Sequence, residues 1–144
     1  MRDIVALRVG EALLGVDSAF VDDVFHPRGL TPAPMAPPEV LGVLNLRGRI
    51  VTALCLRRRL GMPPRPEDAP ALRAVGVEID EDLYGLVVDG VDSVMKIDPR
   101  DRFSPPSSLG DAWAEIVSSV VRLPDELLLI VDVRRLVLAE AERA

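Results

Sequence analysis

Three clusters of proline cut this chain into short apolar pieces, and that limits what it can build. Pro27 to Pro38 holds five prolines, Pro63 to Pro70 four, and Pro99 to Pro106 three. Proline lacks the amide hydrogen that helix and sheet interiors require, so each cluster predicts a loop or an extended connector. No apolar run between them approaches the length of a membrane span. What remains between the prolines is a series of short segments rich in Val, Leu and Ile, which reads as strands.

In Asp3 to Phe25, Val5, Leu7 and Val9 alternate as in a half-buried strand, Gly10-Glu11 turns, and Ala12 to Val16 returns. Asp17-Ser18 is placed to cap a short helical turn leading into Val21 to Phe25. Gly42 to Leu46 and Arg49 to Leu54 form a hairpin pattern around Arg47-Gly48, where Gly48 takes positive φ without a steric cost. Leu56 and Leu60, four apart with Arg57, Arg58 and Arg59 between them, suit a short helix with one buried edge and a charged outside. Leu72 to Ile79 and Leu83 to Val88 flank the acidic turn Asp80-Glu81-Asp82, and Val91 to Ile97 follows as a strand. The last segment, Trp113 to Val137, reads as strand, Pro124-Asp125 turn, strand Leu127 to Val131, and a short helix from Asp132.

The two halves resemble each other weakly. Shifted by 77, Leu46 falls on Leu123, Ile50 on Leu127, Leu56 on Val133, Arg57 on Arg134 and Arg58 on Arg135. Shifted by 70, Gly15 falls on Gly85, Val16 on Leu86, Val21 on Val91 and Val24 on Val94. A period of this size is too long for a solenoid and fits two related β lobes of about five short strands each, the size of a small barrel.

Composition narrows the chemistry. Hydrophobic residues make up 49% but aromatics only 3%, so the core must be built from Val, Leu, Ile and Ala. The single Cys55 excludes an intramolecular disulfide and, with the lone His26, argues against a structural zinc site. A formal charge of −6 opposes nonspecific nucleic-acid binding, and the basic cluster Arg57 to Arg59 with Arg65 has no interleaved aromatics. Gly10, Gly15, Gly42 and Gly48 form no phosphate-cradling loop, and neither acidic run follows the calcium-loop pattern. The N-terminus lacks the apolar segment of a signal peptide, so a cytoplasmic protein without membrane insertion, cofactor or metal is expected.

His26 precedes Pro27 with no Ser, Cys or carboxylate at a recurring catalytic spacing, and Cys55 sits between Leu54 and Leu56 as a small hydrophobe. A small enzyme using His26 or Cys55 is the competing reading, to be decided by whether the two share a pocket. At Arg47 the residues alone leave two alternatives, an exposed turn arginine or a pair with Asp23.

The stretch Gly42-Val43-Leu44-Asn45-Leu46-Arg47-Gly48-Arg49, followed by Leu56-Arg57-Arg58-Arg59-Leu60-Gly61, resembles the signature of CheW-like domains, the adaptors of bacterial chemosensory arrays. Pro34 to Pro38, Tyr84 to Val91, and Leu123-Pro124-Asp125 through Leu136 extend the resemblance over nearly the entire chain. It implies an all-β fold: two small five-stranded SH3-like β-barrel lobes packed around an inter-lobe core, with a few short helices. As one CheW-like domain over 1–144, the lobes would span about 12–62 and 70–138, leaving open whether terminal strands are exchanged between them.

The implied function is coupling without catalysis. The partners would be the helical cytoplasmic tip of a chemoreceptor and the regulatory domain of a CheA-type histidine kinase. The resemblance implies an Arg47–Asp23 pair and partner-binding positions Asp23, Val24, Leu44, Asn45, Arg47, Gly48 and Val91. The chain departs from the family pattern at Thr52 and Cys55, where Pro and Asp are usual, and at Ser119, where Gly is usual. Those departures touch kinase binding more than receptor binding, so an accessory adaptor that binds receptor but not kinase is the alternative. A chain that enters its first strand almost at once is expected to be a stand-alone adaptor.

Overall fold

The computed structural model describes residues 2–65 and 71–137, so Pro66 and Pro70 and the expected lobe end at 138 lie outside the described residues. Its elements are built from hairpins. β1 (Arg2–Val9) and β2 (Ala12–Asp17) pair antiparallel, as do β4 (Val40–Leu46) with β5 (Arg49–Cys55) and β6 (Arg73–Ile79) with β7 (Asp82–Val88). The two-residue turns at 47–48 and 80–81 place both central residues at positive φ: 51° and 85° for Arg47 and Gly48, 50° and 73° for Asp80 and Glu81. This is the hand of turn that matches strand twist. Arg47 therefore shares the left-handed conformation expected of Gly48 alone. Asn45 supports it, its Oδ1 accepting from the Gly48 amide at 2.8 Å.

β3 (Val21–Phe25) follows a 3-10 turn over Ser18–Phe20, where the Asp17 carboxylate accepts from the Ala19 amide at 3.0 Å, the cap the sequence suggests. α1 (Leu56–Arg59) closes the first half. β8 (Gly90–Ile97), the two-residue β9 (Arg102–Phe103), α2 (Asp111–Ile116), β10 (Val117–Arg122) and β11 (Leu127–Val131) complete the second, and residues 133–137 are helical. Trp113, expected to open a strand, lies inside α2, and the strand starts at Val117. The Gly110 entry and the helical bond from the Ala114 amide to the Gly110 carbonyl claim those residues first.

The strands form two sheets, ordered β8-β1-β2-β11-β10-β9 and β3-β6-β7-β5-β4. Neither sheet is a contiguous stretch of chain. Hairpin β1–β2 joins the second half, and hairpin β6–β7 joins the first, so a boundary at 62–70 does not separate the sheets. Apart from β9, each order is the image of the other, with a parallel pair at the same place in each. Gly15 pairs with Ile130 and Gly85 with Ala53; Gly15 to Gly85 is a step of 70 and Ala53 to Ile130 a step of 77. Even the bulges correspond, between Val40 and Gly42 and between Val117 and Ser119.

The core has three parts. One cluster between the sheets draws Val5, Leu7, Val9, Leu14 and Val16 from one and Val75, Val77, Ile79, Leu86 and Val88 from the other. A second fills the interior of the first sheet with Ile4, Ala6, Leu13, Val121, Leu128 and Ile130. Leu44, Val51 and Leu83, with Ala53, Ala74 and Val87 nearby, fill the other barrel. β1 is thus buried on both faces rather than half-buried, because its sheet curls around one core while packing against another.

Candidate interaction site

The hairpin turn of the family-like signature lies at one rim of the barrel β3-β6-β7-β5-β4, and its basic segment forms α1 at the other end of β5. β3 and β4 are the two ends of that sheet. Asp23, on β3 just past a bulge opposite Gly76, points its carboxylate at two donors. Its Oδ1 accepts from the Val24 amide at 2.8 Å, and its Oδ2 accepts from the Arg47 guanidinium at 2.5 Å. The pair ties the tip of hairpin β4–β5 to the opposite end of the sheet. The Val24 amide bond, then the Arg47 bond, holds the Asp23 carboxyl below its ordinary pKa. The Arg47 side chain is 76% exposed while Asp23 is 29% exposed, so the guanidinium is held at one end and open to solvent at the other.

Around this pair the expected residues divide. Val24 is exposed on the edge strand, and Asn45 and Gly48 are exposed at the hairpin tip. Leu44 is not a surface residue: at 4% exposure it packs with Val51 and Leu83 inside the barrel, which corrects its expected place beside a partner. Strand alternation gives two faces, and in a curled sheet Leu44 takes the inner one. Val91 lies in the other sheet, half-buried and paired with Leu7. Sequence reasoning missed Ile50, which pairs across from Asn45 and is 64% exposed.

The second barrel exposes Val94, Leu127 and Phe103, with the Arg122 guanidinium 5.1 Å from the Phe103 ring centre. Val94 is Val24 plus 70, and Leu127 is Ile50 plus 77. Each lobe therefore presents an apolar pair at corresponding positions, a signal present in the shifted sequence comparison.

α1 departs from its expected charged outside. Arg59 is buried, its side chain 3% exposed, and donates to Glu115 on α2 at 2.9 Å while its Nε has no partner. Arg57 turns onto Asp89 at the β7–β8 junction with NH2 to Oδ2 at 2.8 Å; Asp89 also accepts from Arg65 at 2.9 Å and from the Gly10 amide. Burial pushes the Asp89 carboxyl up, but the bonds from Arg57 and Gly10 and the charges of Arg57 and Arg65 outweigh it, leaving its pKa lowered.

Cys55 lines a cavity of about 260 Å³ with Leu41, Met62, Leu72 and Val87 under the Arg57, Arg65 and Asp89 rim. His26 is exposed and is not part of that lining, so the two residues of the competing enzyme reading do not share it. Among the described residues no group of three His, Cys, Asp or Glu is placed to hold a metal ion, and no helix is long and apolar enough to cross a membrane. Thr52 pairs with Val43 on one side and Tyr84 on the other, and Ser119 keeps the bulge that Gly42 makes in the other lobe.

Two interlocked SH3-like barrels, with an ion pair across one rim and apolar side chains exposed around it, define a β-barrel protein whose distinctive features lie on its surface. The chain belongs to the CheW-like domain family, whose model matches residues 3–141. A probable chemotaxis protein CheW of Rhizobium etli is 32% identical over 98% of this chain and 85% of its own length. Chemotaxis protein CheW of Treponema pallidum is 26% identical over 92% and 80%. Among solved structures, the scaffolding protein TtCheW from Thermoanaerobacter tengcongensis aligns with a TM-score of 0.80 at 29% identity, covering 91% of this chain and 88% of that one.

Proposed function

We propose that this chain is a non-catalytic cytoplasmic adaptor that couples the helical cytoplasmic tip of a chemoreceptor to the regulatory domain of a CheA-type histidine kinase. The observation that carries the reading is the Arg47–Asp23 pair, which sits at an open rim instead of in the core. Val24 and Ile50 supply apolar contact around it, Asn45 and the half-free Arg47 guanidinium supply polar register, and Gly48 lets a partner approach the backbone closely. That combination suits a helix laid against a groove, where apolar anchors give affinity and charge fixes orientation. The hairpin ends of both lobes would then meet the kinase domain.

Pull-down against a receptor cytoplasmic fragment tests the reading. Arg47→Ala should weaken capture at least tenfold, and unchanged capture removes Arg47 from the site. Calorimetry with the kinase regulatory domain separates a coupler, which binds both, from an accessory adaptor, which binds receptor alone.

A further inference from the structure

The two lobes are built on one plan, yet each takes a hairpin from the other half of the chain. Something must decide which hairpin enters which lobe, since β1–β2 and β6–β7 occupy equivalent places against β11 and β5. Two ion pairs stand at the joint. In one lobe the Arg8 guanidinium of β1 forks onto Glu126, the residue just before β11, with N–O distances of 2.8 and 3.0 Å. In the other, Arg49 at the start of β5 reaches Glu78 of β6 at 3.2 Å.

These pairs are the same pair with the charges reversed. Arg8 to Glu78 is a step of 70 and Arg49 to Glu126 a step of 77, the steps that relate the strands themselves. Placing β1–β2 against β5 would set Arg8 against Arg49, and placing β6–β7 against β11 would set Glu78 against Glu126. We infer that this reversed charge pattern directs each hairpin into the opposite lobe, so that the observed exchange is matched in charge and the unexchanged arrangement is doubly mismatched.

The backbone partners discriminate less. Gly15 and Gly85 occupy the same position in the two hairpins, so either hairpin offers the same small residue to the facing strand. Side chains at the four charged positions are between a third and a half exposed, so their pairing is open to screening by salt, and Arg8 also donates to the Glu11 carbonyl at 3.3 Å. Like charges brought into such contact are unfavourable where opposite charges are favourable, and the effect is screened by salt. Asp92 stands 3.9 Å from Arg8, so any reversal at Arg8 also meets that carboxylate.

Two double variants with the same composition and net charge separate pairing from mere surface charge. Arg8→Glu with Glu126→Arg preserves the match within one lobe. Arg8→Glu with Glu78→Arg moves the same charges but mismatches both lobes, and both variants carry the same contact with Asp92. The second should melt about 5 °C below the first, and the gap should close in molar salt. NMR contacts between β2 and β11 report whether the hairpin still occupies its lobe. All four reversals together should restore the midpoint of the first double variant. Equal midpoints for the two doubles with the β2–β11 contacts kept in both, a gap that salt leaves unchanged while those contacts persist, or four reversals that fail to recover the midpoint would each overturn the inference. The second double is matched in charge only in the unexchanged arrangement, so replacement of its β2–β11 contacts by β2–β5 contacts supports the inference at any midpoint. If the mismatched double fails to fold, recovery by the fourfold variant supports it and failure of that variant rejects it.

Discussion

Arg47 and Asp23 meet at the surface, and that decides what each is worth. An ion pair with a guanidinium three-quarters exposed adds little to folding, since solvent and salt screen it. Arg47→Ala should therefore melt within about 2 °C of the parent chain while losing partner capture, a split that circular dichroism and pull-down together can read. Carboxyl NMR titration adds a finer check on cause. The Val24 amide bond is the largest single cause of the lowered Asp23 pKa and outweighs the opposing effect of burial, so in Arg47→Ala that pKa should rise yet stay below its ordinary value. A full return to the ordinary value would show that the backbone bond does not persist without Arg47. Ser119 offers a second residue-scale test. Its hydroxyl is buried without a hydrogen-bond partner, so Ser119→Ala should stabilise by about 1 kcal/mol, measured by urea denaturation. The Arg47–Asp23 pair was legible through the family signature but not from residue types alone, because an arginine at a turn has no preferred partner until the edge strand is placed. That Leu44 lies inside the barrel and Ile50 outside it was not legible for one reason: alternation separates two faces without saying which is concave.

At the scale of elements, Asp89 joins three pieces that lie far apart in sequence. It holds α1 through Arg57, the β1–β2 turn through the Gly10 amide, and its own junction between β7 and β8. Its folded pKa is lowered, so the unfolded chain binds the proton more readily than the folded one. The stabilisation is therefore complete above the unfolded value, about 4, and is lost as pH falls through the lower folded value. Asp89→Ala should cost about 2 kcal/mol at neutral pH, and its urea midpoint should change less than the parent's as pH is lowered from 5 to 3. A parallel fall in both would assign the acid sensitivity elsewhere. Neither this knot nor the Arg59–Glu115 link was visible beforehand. The spacing of Leu56 and Leu60 describes one face of α1, but what covers the other face comes from α2, more than fifty residues on.

For the whole molecule, the exchange of hairpins makes the lobes one folding unit. Each sheet contains strands from both halves, and the central cluster draws on both sheets, so neither barrel can be completed by its own half of the chain. The duplication was legible as two different steps, 70 and 77, and those steps survive in the strand pairing. The exchange was not legible, because a repeat establishes which segments are equivalent and is silent on which of two equivalent segments is the neighbour. Trp113 gives a direct test of the consequence. It packs against the inter-lobe cluster, so its fluorescence reports the contact between lobes, while far-ultraviolet circular dichroism reports strands in both sheets. Interlocked lobes must lose both signals together, giving coincident urea transitions at one midpoint. Lobes able to part while keeping their sheets would release Trp113 first. A fluorescence midpoint below the dichroism midpoint would then show that the halves are merely packed against each other, and the shared sheets would not carry the cooperativity assigned to them.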